Sequence, residues 1–365
     1  MKVARFLENP IVTQADVKPS IDGWEVMSAF NAGVIEYGDE VLMLMRVAER
    51  PVSDNPNIAL VPVMSFDCEG NGRLEVLEFD KRDARYDFSD PRVIGSPDGI
   101  YLTSISHLRL ARSRSGRRFT VQDQPSLWPD RPYESFGLED PRITRLDDTF
   151  YVVYKGVART GITQCLASTK NFGLKVRPAD TAPPGGGWTK HGIIFPPENM
   201  DAMIFPQKVR GKYVALHRPQ PKMIGAPNMW IAYSDDLIHW GEHKLLMSCS
   251  AGTWEGGRIG GGAVPFMTER GWLEIYHAAT PDDRYCLGAV LLDAEYPEQV
   301  IAKSPYPILE PEAPYETSGF KPNVVFTCGA IVRGDTVTIY YGASDEVMAA
   351  AEMSVTEILE SLSPI

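Results

Sequence analysis

The fold of this chain is decided by the stretch Asp140-Pro141-Arg142-Ile143-Thr144-Arg145-Leu146-Asp147-Asp148-Thr149-Phe150-Tyr151-Val152-Val153-Tyr154. An apolar run, a short polar turn and a second apolar run follow one another within it. Strand-forming residues on both sides of a two-residue polar turn are typical of a β-hairpin. The stretch therefore predicts two antiparallel strands joined at Asp147-Asp148.

Related hairpin patterns recur along the chain at intervals of roughly 50 to 60 residues, the repeat length of a propeller blade. Their turns fall at Gly38-Asp39, Asp98-Gly99, Asp147-Asp148, Arg210-Gly211, Arg270-Gly271 and Gly334-Asp335. In a propeller the innermost strands surround one axis. Polar side chains at equivalent places in each repeat are therefore expected to converge on one pocket.

Composition favours one large all-β domain. The chain has 365 residues, 44% of them hydrophobic, and its 29 Pro and 31 Gly are spread along it, as many short strands and turns require. We expect a single domain over residues 1–365, with a lead-in segment at 1–30 and a short helical tail at 354–365 that Ser354 could cap. The Gly- and Pro-rich stretch Thr181 to Gly187 is predicted to be an irregular loop.

Charge and cysteine usage limit the classes of partner. The net charge of −12 argues against a nucleic-acid or acidic-membrane partner, and an anionic ligand would need a locally basic pocket. The five cysteines are isolated and lack CxxC spacing, which favours reduced thiols and no metal site. Neither a signal-peptide pattern nor a run long enough to span a membrane is visible, so we expect a cytoplasmic protein.

Two adjacent carboxylates, Glu139 and Asp140, precede the first strand of the deciding hairpin. Pro141 fixes the backbone after them, so the side chain of Asp140 is expected to point along the axis, where it could protonate a glycosidic oxygen. The alternative is that Asp140 only caps a turn. The tripeptide alone does not decide, because Asp90-Pro91-Arg92 repeats it.

Basic residues also recur at equivalent places in the repeats. Taken singly, each is expected to be a surface or salt-bridge residue; taken together, two or three of them could hold a phosphate. The set comprises Arg46, Arg92, Arg109, Lys155, Arg159, Lys208, His217 and Arg218.

Sugar-binding candidates lie near the predicted rim. Tyr276 offers an aromatic face for a pyranose ring, although packing between repeats is the commoner role of such a residue. His277 and Asp283 could hydrogen-bond sugar hydroxyls. The chain contains no HExxH, CxxC, GxGxxG or GxSxG motif, so zinc, dinucleotide-binding and α/β-hydrolase interpretations have no support.

With these motifs the chain resembles glycoside hydrolase family 130, the β-mannoside phosphorylases and β-mannosidases. The matching strings cover nearly the whole chain in order. They are Thr103-Ser104-Ile105-Ser106-His107-Leu108-Arg109, Gly137-Leu138-Glu139-Asp140-Pro141-Arg142-Ile143-Thr144, Phe205-Pro206-Gln207-Lys208, Leu216-His217-Arg218-Pro219, Arg258-Ile259-Gly260-Gly261-Gly262, Gly271-Trp272-Leu273-Glu274-Ile275-Tyr276-His277, Asn323-Val324-Val325-Phe326 and Tyr340-Tyr341-Gly342-Ala343.

The resemblance implies a five-bladed β-propeller, so one of the six hairpins would be an outer hairpin or a closure made by the two termini. It implies inverting phosphorolysis of β-1,2-linked mannooligosaccharides, such as β-1,2-mannobiose, to α-mannose 1-phosphate and a shortened mannoside. In the family the general acid, here Asp140, is thought to relay its proton through the 3-hydroxyl of the mannosyl unit, while inorganic phosphate attacks C1 from the opposite face. Phosphate replaces the activated water of an inverting hydrolase, so no second catalytic carboxylate is needed.

We expect the following assignments from the residues and the resemblance together. The partners are a β-mannoside oligosaccharide and inorganic phosphate, with no cofactor and no metal. The predicted phosphate ligands are Arg92, Arg109, Arg159, His217 and Arg218. The predicted sugar ligands are Asn31, Arg46, Glu139, Lys208, Tyr276, His277 and Asp283.

Two alternatives stay open from the sequence. An inverting β-mannosidase on the same fold would need a base, and Glu255 is a candidate because it lies near the predicted pocket. A non-catalytic carbohydrate-binding propeller is the other, since fold alone permits it. Chain-length preference and acceptor sugar are not determined, and a homo-oligomer is compatible with the sequence.

Overall fold

The chain is built almost entirely of β-strands in a computed structural model that describes residues 1–173 and 187–365. The predicted loop Thr181 to Gly187 therefore lies, up to residue 186, outside the described residues. In the part of the chain that the structure describes, no helix has the length and apolar character needed to cross a membrane.

Antiparallel units of four main strands follow one another along the chain. The first unit contains β2 (Trp24–Tyr37), β3 (Glu40–Pro51), β8 (Ile105–Ser113) and the short β9 (Thr120–Val121). Between β3 and β8 the chain leaves the unit and forms two separate hairpins, β4 (Ile58–Phe66) with β5 (Gly72–Asp80), and β6 (Val93–Ser96) with β7 (Gly99–Leu102). We call residues 52–104 the insert.

The second and third units repeat the pattern without an insert. The second contains β10 (Gly137–Leu146), β11 (Thr149–Ala158), β12 (Gly161–Thr169) and β13 (Trp188–Phe195). The third contains β14 (Asn199–Ile204), β15 (Tyr213–Pro219), β16 (Met229–Ser234) and β17 (Trp240–Met247). Units one and two touch through one parallel pair, Gly137 with Ser106. A side chain at residue 137 would meet the Ser106 backbone at 2.6 Å, so this close approach requires glycine.

The fourth and fifth units complete the chain. The fourth contains β18 (Arg258–Gly260) and β19 (Phe266–Thr268), which both pair with β20 (Gly271–Ala279), followed by β21 (Tyr285–Leu292) and β22 (Val300–Lys303). The fifth contains β23 (Val325–Arg333), β24 (Thr336–Ala343) and β25 (Val347–Ser354). Two short helices, α1 (Pro314–Thr317) and α2 (Val355–Ser361), and a last strand, β26 (Ser363–Pro364), lie around them.

The two ends of the chain meet in the fifth unit. Strand β1 (Ala4–Arg5) pairs antiparallel with β25, and the Phe6 and Ile11 amides donate to the Ala350 and Met348 carbonyls. The predicted lead-in, residues 1–30, thus contributes the fourth strand of the last unit, and its boundary was wrong because β2 already begins at Trp24. At the other end, Ser354 caps α2 as predicted, because its Oγ accepts the Glu357 amide at 3.1 Å.

Five of the six predicted hairpins join the first two main strands of a unit, and the sixth does not. The turn at Asp98-Gly99 joins β6 to β7 within the insert. These strands pair only with each other, and the insert has a small apolar cluster of its own around Val61, Phe79 and Ile94. Sequence spacing could not separate this hairpin from the rest, because a hairpin pattern does not say which sheet it joins.

Candidate active site

Three of the units carry the same irregularity in their first strand. Pairing between the first two strands is interrupted at Asn31, Asp140 and Asp201, and these residues have left-handed backbones with φ of 47°, 47° and 55°. Asn and Asp tolerate this conformation better than most residues because their short polar side chains bond locally. A bulge re-aims the side chain, so equivalent polar groups of three units turn to one place.

A basic residue accompanies each of these bulges. In the neighbouring strand, the residue paired with the position just before the bulge is Arg46, Lys155 or Arg218 in units one to three. In unit four, His277 pairs with Gly260, the last residue of β18, and in unit five Tyr341 pairs with Thr327, the residue just before the register shift. Units one to three thus each bring a polar bulge residue and a cation to one cluster, a pattern that hydrophobic spacing alone does not reveal.

Asp140 is the member of this cluster that belongs to the second unit, and it is 3% exposed. Its Oδ1 accepts from Asn31 Nδ2 at 3.0 Å and its Oδ2 accepts from Lys155 Nζ at 2.6 Å. Arg46 Nη1 lies 3.6 Å from Oδ1. Burial alone would raise the pKa of Asp140, but Lys155 and Arg46 outweigh it and lower the pKa to about 2. Without a ligand the carboxyl group is ionised.

Glu139 has the opposite electrostatic environment, although Arg46 Nη2 contacts its Oε1 at 2.6 Å. Burial and the neighbouring charge of Asp140 raise the pKa of Glu139 above its usual range. Two adjacent carboxyl groups therefore have pKa values pushed apart, which is a property of acid–base sites.

Asp201 is fully buried and contacts several residues of the site. Its Oδ2 accepts from Arg218 Nε at 2.8 Å and lies 3.2 Å from His277 Nε2, and its Oδ1 lies 3.1 Å from Lys155 Nζ. Burial opposes ionisation of Asp201, yet the charges of Arg218 and Lys155 hold its pKa well below the usual range. Asp201 thus fixes the positions of Lys155, which contacts Asp140, and of Arg218.

The cluster borders a cavity of about 300 Å³, which is large enough for a small sugar or an anion. Residues from all five units and from the insert line it. The lining residues are Asn31, Arg46, Arg92, Glu139, Asp140, Lys155, Ile162, Met200, Arg218, Gln220, Arg258, Tyr285, Lys321, Val324, Phe326 and Asp345. Six of them are cationic and three are carboxylates, although the whole chain has a net charge of −12.

Asp345 is a lining residue that the sequence analysis missed. It has a left-handed backbone with φ of 53°, and it forms no hydrogen bond or ion pair with any residue that the structure describes. Burial raises the pKa of Asp345, against the attraction of Arg46 and Lys321. An unpartnered carboxyl group at the wall of a polar cavity is available to a ligand. Its hairpin turn, Ser344-Asp345, carries no sequence signal that separates it from an ordinary turn.

The structure brings five of the predicted ligands and the predicted general acid to the cavity, and it leaves the other ligands elsewhere. Asn31, Arg46, Glu139, Asp140, Arg92 and Arg218 line it. Asp283 does not line it but holds two lining cations, since Arg258 Nη2 contacts its Oδ1 at 2.5 Å and Lys321 Nζ lies 3.2 Å from its Oδ2. His277 is fully buried, and its Nε2 lies 3.2 Å from Asp201 Oδ2, so its role is to hold that carboxylate in position.

Three predicted phosphate ligands do not line the cavity. Arg109 is fully buried, and its Nη2 contacts Glu49 Oε1 at 3.1 Å, so that carboxylate already occupies it. His217 stacks on Phe195 with ring centroids 4.4 Å apart, and burial lowers its pKa to about 3, which leaves it neutral. Arg159 is exposed and contacts the insert. We therefore do not retain these three as anion ligands.

Two predicted sugar ligands also lie elsewhere. Tyr276 is fully buried in the fourth unit, where its hydroxyl donates to Glu255 Oε1 at 2.6 Å. Lys208 is exposed on a turn, with its Nζ 4.3 Å from the ring centroid of Tyr213. Phe326 and Tyr285 are the aromatic residues at the cavity wall instead. Strand periodicity places a side chain on one face of a sheet, but it does not give the distance from that side chain to the cavity.

The fold and the site together define a class of carbohydrate-active protein, and the chain belongs to glycoside hydrolase family 130. Residues 91–363 match the family model, which is described as beta-1,4-mannooligosaccharide phosphorylase. Among the relatives is a beta-1,2-mannobiose phosphorylase of Listeria innocua, 46% identical over 99% of both chains. A 1,2-beta-oligomannan phosphorylase of Thermoanaerobacter sp. is 40% identical over 72% of this chain and 83% of its own length.

Solved structures agree with this assignment. The Listeria innocua beta-1,2-mannobiose phosphorylase in complex with beta-1,2-mannobiose has a TM-score of 0.91 and covers 99% of both chains. A putative glycoside hydrolase from Parabacteroides distasonis has a TM-score of 0.70 at 21% identity, over 96% of this chain and 95% of its own. That second similarity concerns the fold alone.

Proposed function

We propose that this protein catalyses inverting phosphorolysis of β-1,2-linked mannooligosaccharides, releasing α-mannose 1-phosphate and a mannoside shortened by one unit. The observation that carries the proposal is the cationic lining of the cavity around Asp140. Asp201 is the buried carboxylate that pairs with Lys155 and Arg218, and it does not line the cavity. An anion that enters the cavity therefore meets the two cations and not this carboxylate. The names of the two relatives support a β-1,2 linkage over the β-1,4 linkage in the family description.

We propose further that the five units are the blades of a five-bladed β-propeller forming a single domain. The pairing of β1 with β25 supports this arrangement, because it gives the last unit its fourth strand from the other end of the chain. Convergence of side chains from all five units on one cavity also supports it. In such a fold the cavity lies at one end of the central axis.

Asp140 is the proposed general acid, and it must acquire its proton. Lys155 and Arg46 keep it ionised in the free protein. A phosphate bound beside these cations adds negative charge near Asp140, and a nearby like charge raises the pKa of a carboxyl group. Phosphate also brings an ionisable proton, so binding of the co-substrate prepares the acid. The proton then passes through the sugar 3-hydroxyl to the leaving oxygen as phosphate attacks C1.

The remaining lining residues divide by charge. Arg92, Arg218 and Lys155 are the proposed phosphate ligands, because charge-assisted hydrogen bonds to phosphate are short and strong. Asn31, Arg46 and Glu139, joined by Asp345, are proposed to hold sugar hydroxyls. The faces of Phe326 and Tyr285 suit the C–H surface of a pyranose ring.

The hydrolase alternative loses its predicted base. Glu255 accepts from Tyr276 Oη and from Lys303 Nζ at 2.5 Å, is 3% exposed, and does not line the cavity. Among the lining carboxylates Asp345 is the one left without a partner in the described residues, so it is the candidate base if water proves to be the nucleophile. The residues that line the cavity therefore favour phosphate over water as the nucleophile.

The test is incubation with β-1,2-mannobiose in the presence and absence of phosphate, with analysis of the products. We expect α-mannose 1-phosphate and mannose in equal amounts, and turnover that depends on phosphate. Release of two mannose molecules at the same rate without phosphate would establish a mannosidase instead. β-1,4-Mannobiose serves as the matched substrate and should react much more slowly.

We also propose a cytoplasmic location, on the ground that the five cysteines Cys68, Cys165, Cys249, Cys286 and Cys328 are all free thiols. Fractionation of the native host cells tests this. Recovery in a secreted fraction would contradict it.

A further inference from the structure

The insert forms a separate layer beside the five units. Its two hairpins enclose their own apolar cluster, in which Phe79 contacts Tyr86 and Tyr101 with ring centroids 5.0 and 4.9 Å apart. Strand β7, which carries Tyr101, is the last strand before the chain returns to the first unit.

Few polar contacts hold this layer to the body. Among the residues that the structure describes, three hydrogen bonds join the insert to the rest of the chain: the Val52 amide donates to the Gly23 carbonyl at 3.3 Å, the Met64 amide to the Ser135 carbonyl at 2.9 Å, and Arg159 Nη1 to the Asp98 carbonyl at 3.2 Å. The position of the β6–β7 hairpin thus depends strongly on Arg159.

Arg159 makes a second contact with the same hairpin. Its guanidinium carbon lies 4.2 Å from the ring centroid of Tyr101, within the range of a cation–π interaction. Tyr101 also meets the edge of Phe136, which precedes the strand of Asp140, at 6.4 Å between ring centroids. Arg159 therefore covers the outer face of the joint between the insert and the second unit.

A short path connects this joint to the cavity. Two residues after Tyr101, the Thr103 amide donates to the Arg92 carbonyl at 3.0 Å, and Thr103 Oγ1 donates to the Pro91 carbonyl at 2.8 Å. Arg92 lines the cavity from the insert. Its guanidinium contacts Asp90, a residue of the insert itself, at 2.6 Å, and among the described residues no carboxylate of the five units forms an ion pair with it.

We infer that Arg159 is a positioning residue for the reaction: it holds the β6–β7 hairpin against the second unit through Tyr101 and Asp98, and thereby keeps Arg92 at the cavity wall. It contacts neither substrate. This inference rests on the proposed function, in which Arg92 binds phosphate. It explains why a conspicuous arginine, 19 residues after Asp140 in sequence, faces away from the cavity.

A double-mutant cycle between Arg159 and Arg92 tests the inference. Arg92→Ala should raise the KM for phosphate on the order of tenfold or more, the value of one lost charge-assisted hydrogen bond. Arg159→Ala should raise it about three- to tenfold and change the KM for mannobiose little. The double variant should be no more than about twofold worse than Arg92→Ala alone, because the position of an absent side chain no longer matters.

Matched variants separate this role from two simpler ones. Arg159→Gln removes the cation over the ring but can still donate to the Asp98 carbonyl, and it should fall between wild type and Arg159→Ala. Tyr101→Phe keeps the ring and should behave as wild type. If the effects of Arg159→Ala and Arg92→Ala multiply, Arg159 acts on the anion independently of Arg92 and the inference is wrong.

A lowered melting temperature of Arg159→Ala with unchanged KM for phosphate would also overturn the inference, since Arg159 would then be only structural. The cycle is independent of the reaction type. If wild type proves to be a hydrolase, the same coupling is measured on the KM for the mannoside, provided that Arg92→Ala raises it. Loss of the proposed function and loss of the coupling are thus observed in different measurements.

Discussion

Asp140 combines a strained backbone, deep burial and two cationic neighbours in one residue. A left-handed φ of 47° is costly for most residues, and it persists here because Asn31 and Lys155 hold both carboxylate oxygens. Such over-determined positions concentrate at functional sites. Substitution of Asp140 is therefore the most direct test of the chemistry.

Replacement of Asp140 by Asn should abolish most turnover while the protein stays folded. The amide has nearly the same shape, but it cannot deliver a proton as an acid, and general acid catalysis contributes about 10²- to 10⁴-fold. We expect kcat to fall within that range with a melting temperature within a few degrees of wild type. Near-normal kcat would remove Asp140 from the mechanism and direct attention to Glu139.

Glu274 offers a test of pH dependence away from the cavity. It is fully buried, and burial raises its pKa to about 8, although the Gly262 amide donates to its Oε1. The unfolded chain ionises this group near its ordinary value, so folding at neutral pH takes up a proton. Its contribution to stability is therefore fully present below about pH 4.5 and is lost as pH rises towards 8.

Glu274→Gln should remove that pH dependence, because glutamine stays neutral at every pH. We expect the variant to gain about 1 to 3 kcal/mol relative to wild type between pH 5 and pH 8. Thermal unfolding across this range measures the gain. Glu269→Gln, on the exposed turn of the same unit, is the control; an equal gain in both variants would contradict the assignment.

At the scale of elements, the repeated bulge explains how distant parts of the sequence form one site. Asn31, Asp140 and Asp201 lie 109 and 61 positions apart along the chain, yet the same local geometry brings them together. Asn31 and Asp140 line the cavity, whereas Asp201 is fully buried and pairs with the lining cations Lys155 and Arg218. Unit five departs from the pattern, since Tyr341 and not a cation pairs with the residue before its register shift. The next residue, Gly342, makes room for Asn31, because a Cβ on Gly342 would lie 2.1 Å from Asn31 Oδ1.

Gly342→Ala should therefore reduce activity through Asn31. The added methyl group displaces the Asn31 side chain and breaks its hydrogen bond to Asp140. We expect kcat/KM to fall about tenfold or more, since a hydrogen bond to a charged group contributes about 1.5 to 3 kcal/mol.

The matched comparison for this change uses the Asn31→Ala background. There the closest clash, with Asn31 Oδ1, is gone, and the nearest remaining atom is the residue 31 backbone nitrogen at 3.0 Å, so Gly342→Ala should cost little further activity. If the two changes lower kcat/KM independently in the double variant, the methyl group acts by another route.

At the scale of the whole molecule, the junction of the two chain ends is the element that completes the fifth unit. Strand β1 contributes Arg5, whose Nε donates to Glu316 Oε1 at 2.8 Å. Glu316 is fully buried and also accepts from Tyr341 Oη at 2.6 Å. The N-terminal segment is thus bound to the molecule by a buried ion pair as well as by strand pairing.

Arg5→Ala should destabilise the molecule without changing the KM for either substrate. Removal of one partner leaves a buried carboxylate less well compensated, at a cost of about 1 to 3 kcal/mol. Thermal unfolding should show a clear decrease in Tm. Arg50→Ala, which removes an exposed pair with Glu25, is the control and should cost less than about 1 kcal/mol. Equal losses in the two variants would mean that the junction contributes no special stability.

The sequence by itself determined the strands, most of their turns and the central carboxylate. Alternating apolar residues and polar turns are local signals, so the hairpins at Asp147-Asp148, Arg210-Gly211 and Gly334-Asp335 could be predicted from short windows. The capping of α2 by Ser354 is local as well. The motif around Asp140, together with the resemblance it supports, also gave the family that the comparisons established.

Only the tertiary structure decided which residues face the cavity. A cation in a strand pattern can line the cavity, as Lys155 does, or pair with a buried carboxylate elsewhere, as Arg109 does with Glu49. For the same reason Asp345 lines the cavity without a sequence signal, and Arg159 does not line it although the sequence suggested that it would. Strand periodicity fixes a face of one sheet, whereas the distance to the cavity depends on how separate units pack, and that is set by contacts between residues far apart in sequence.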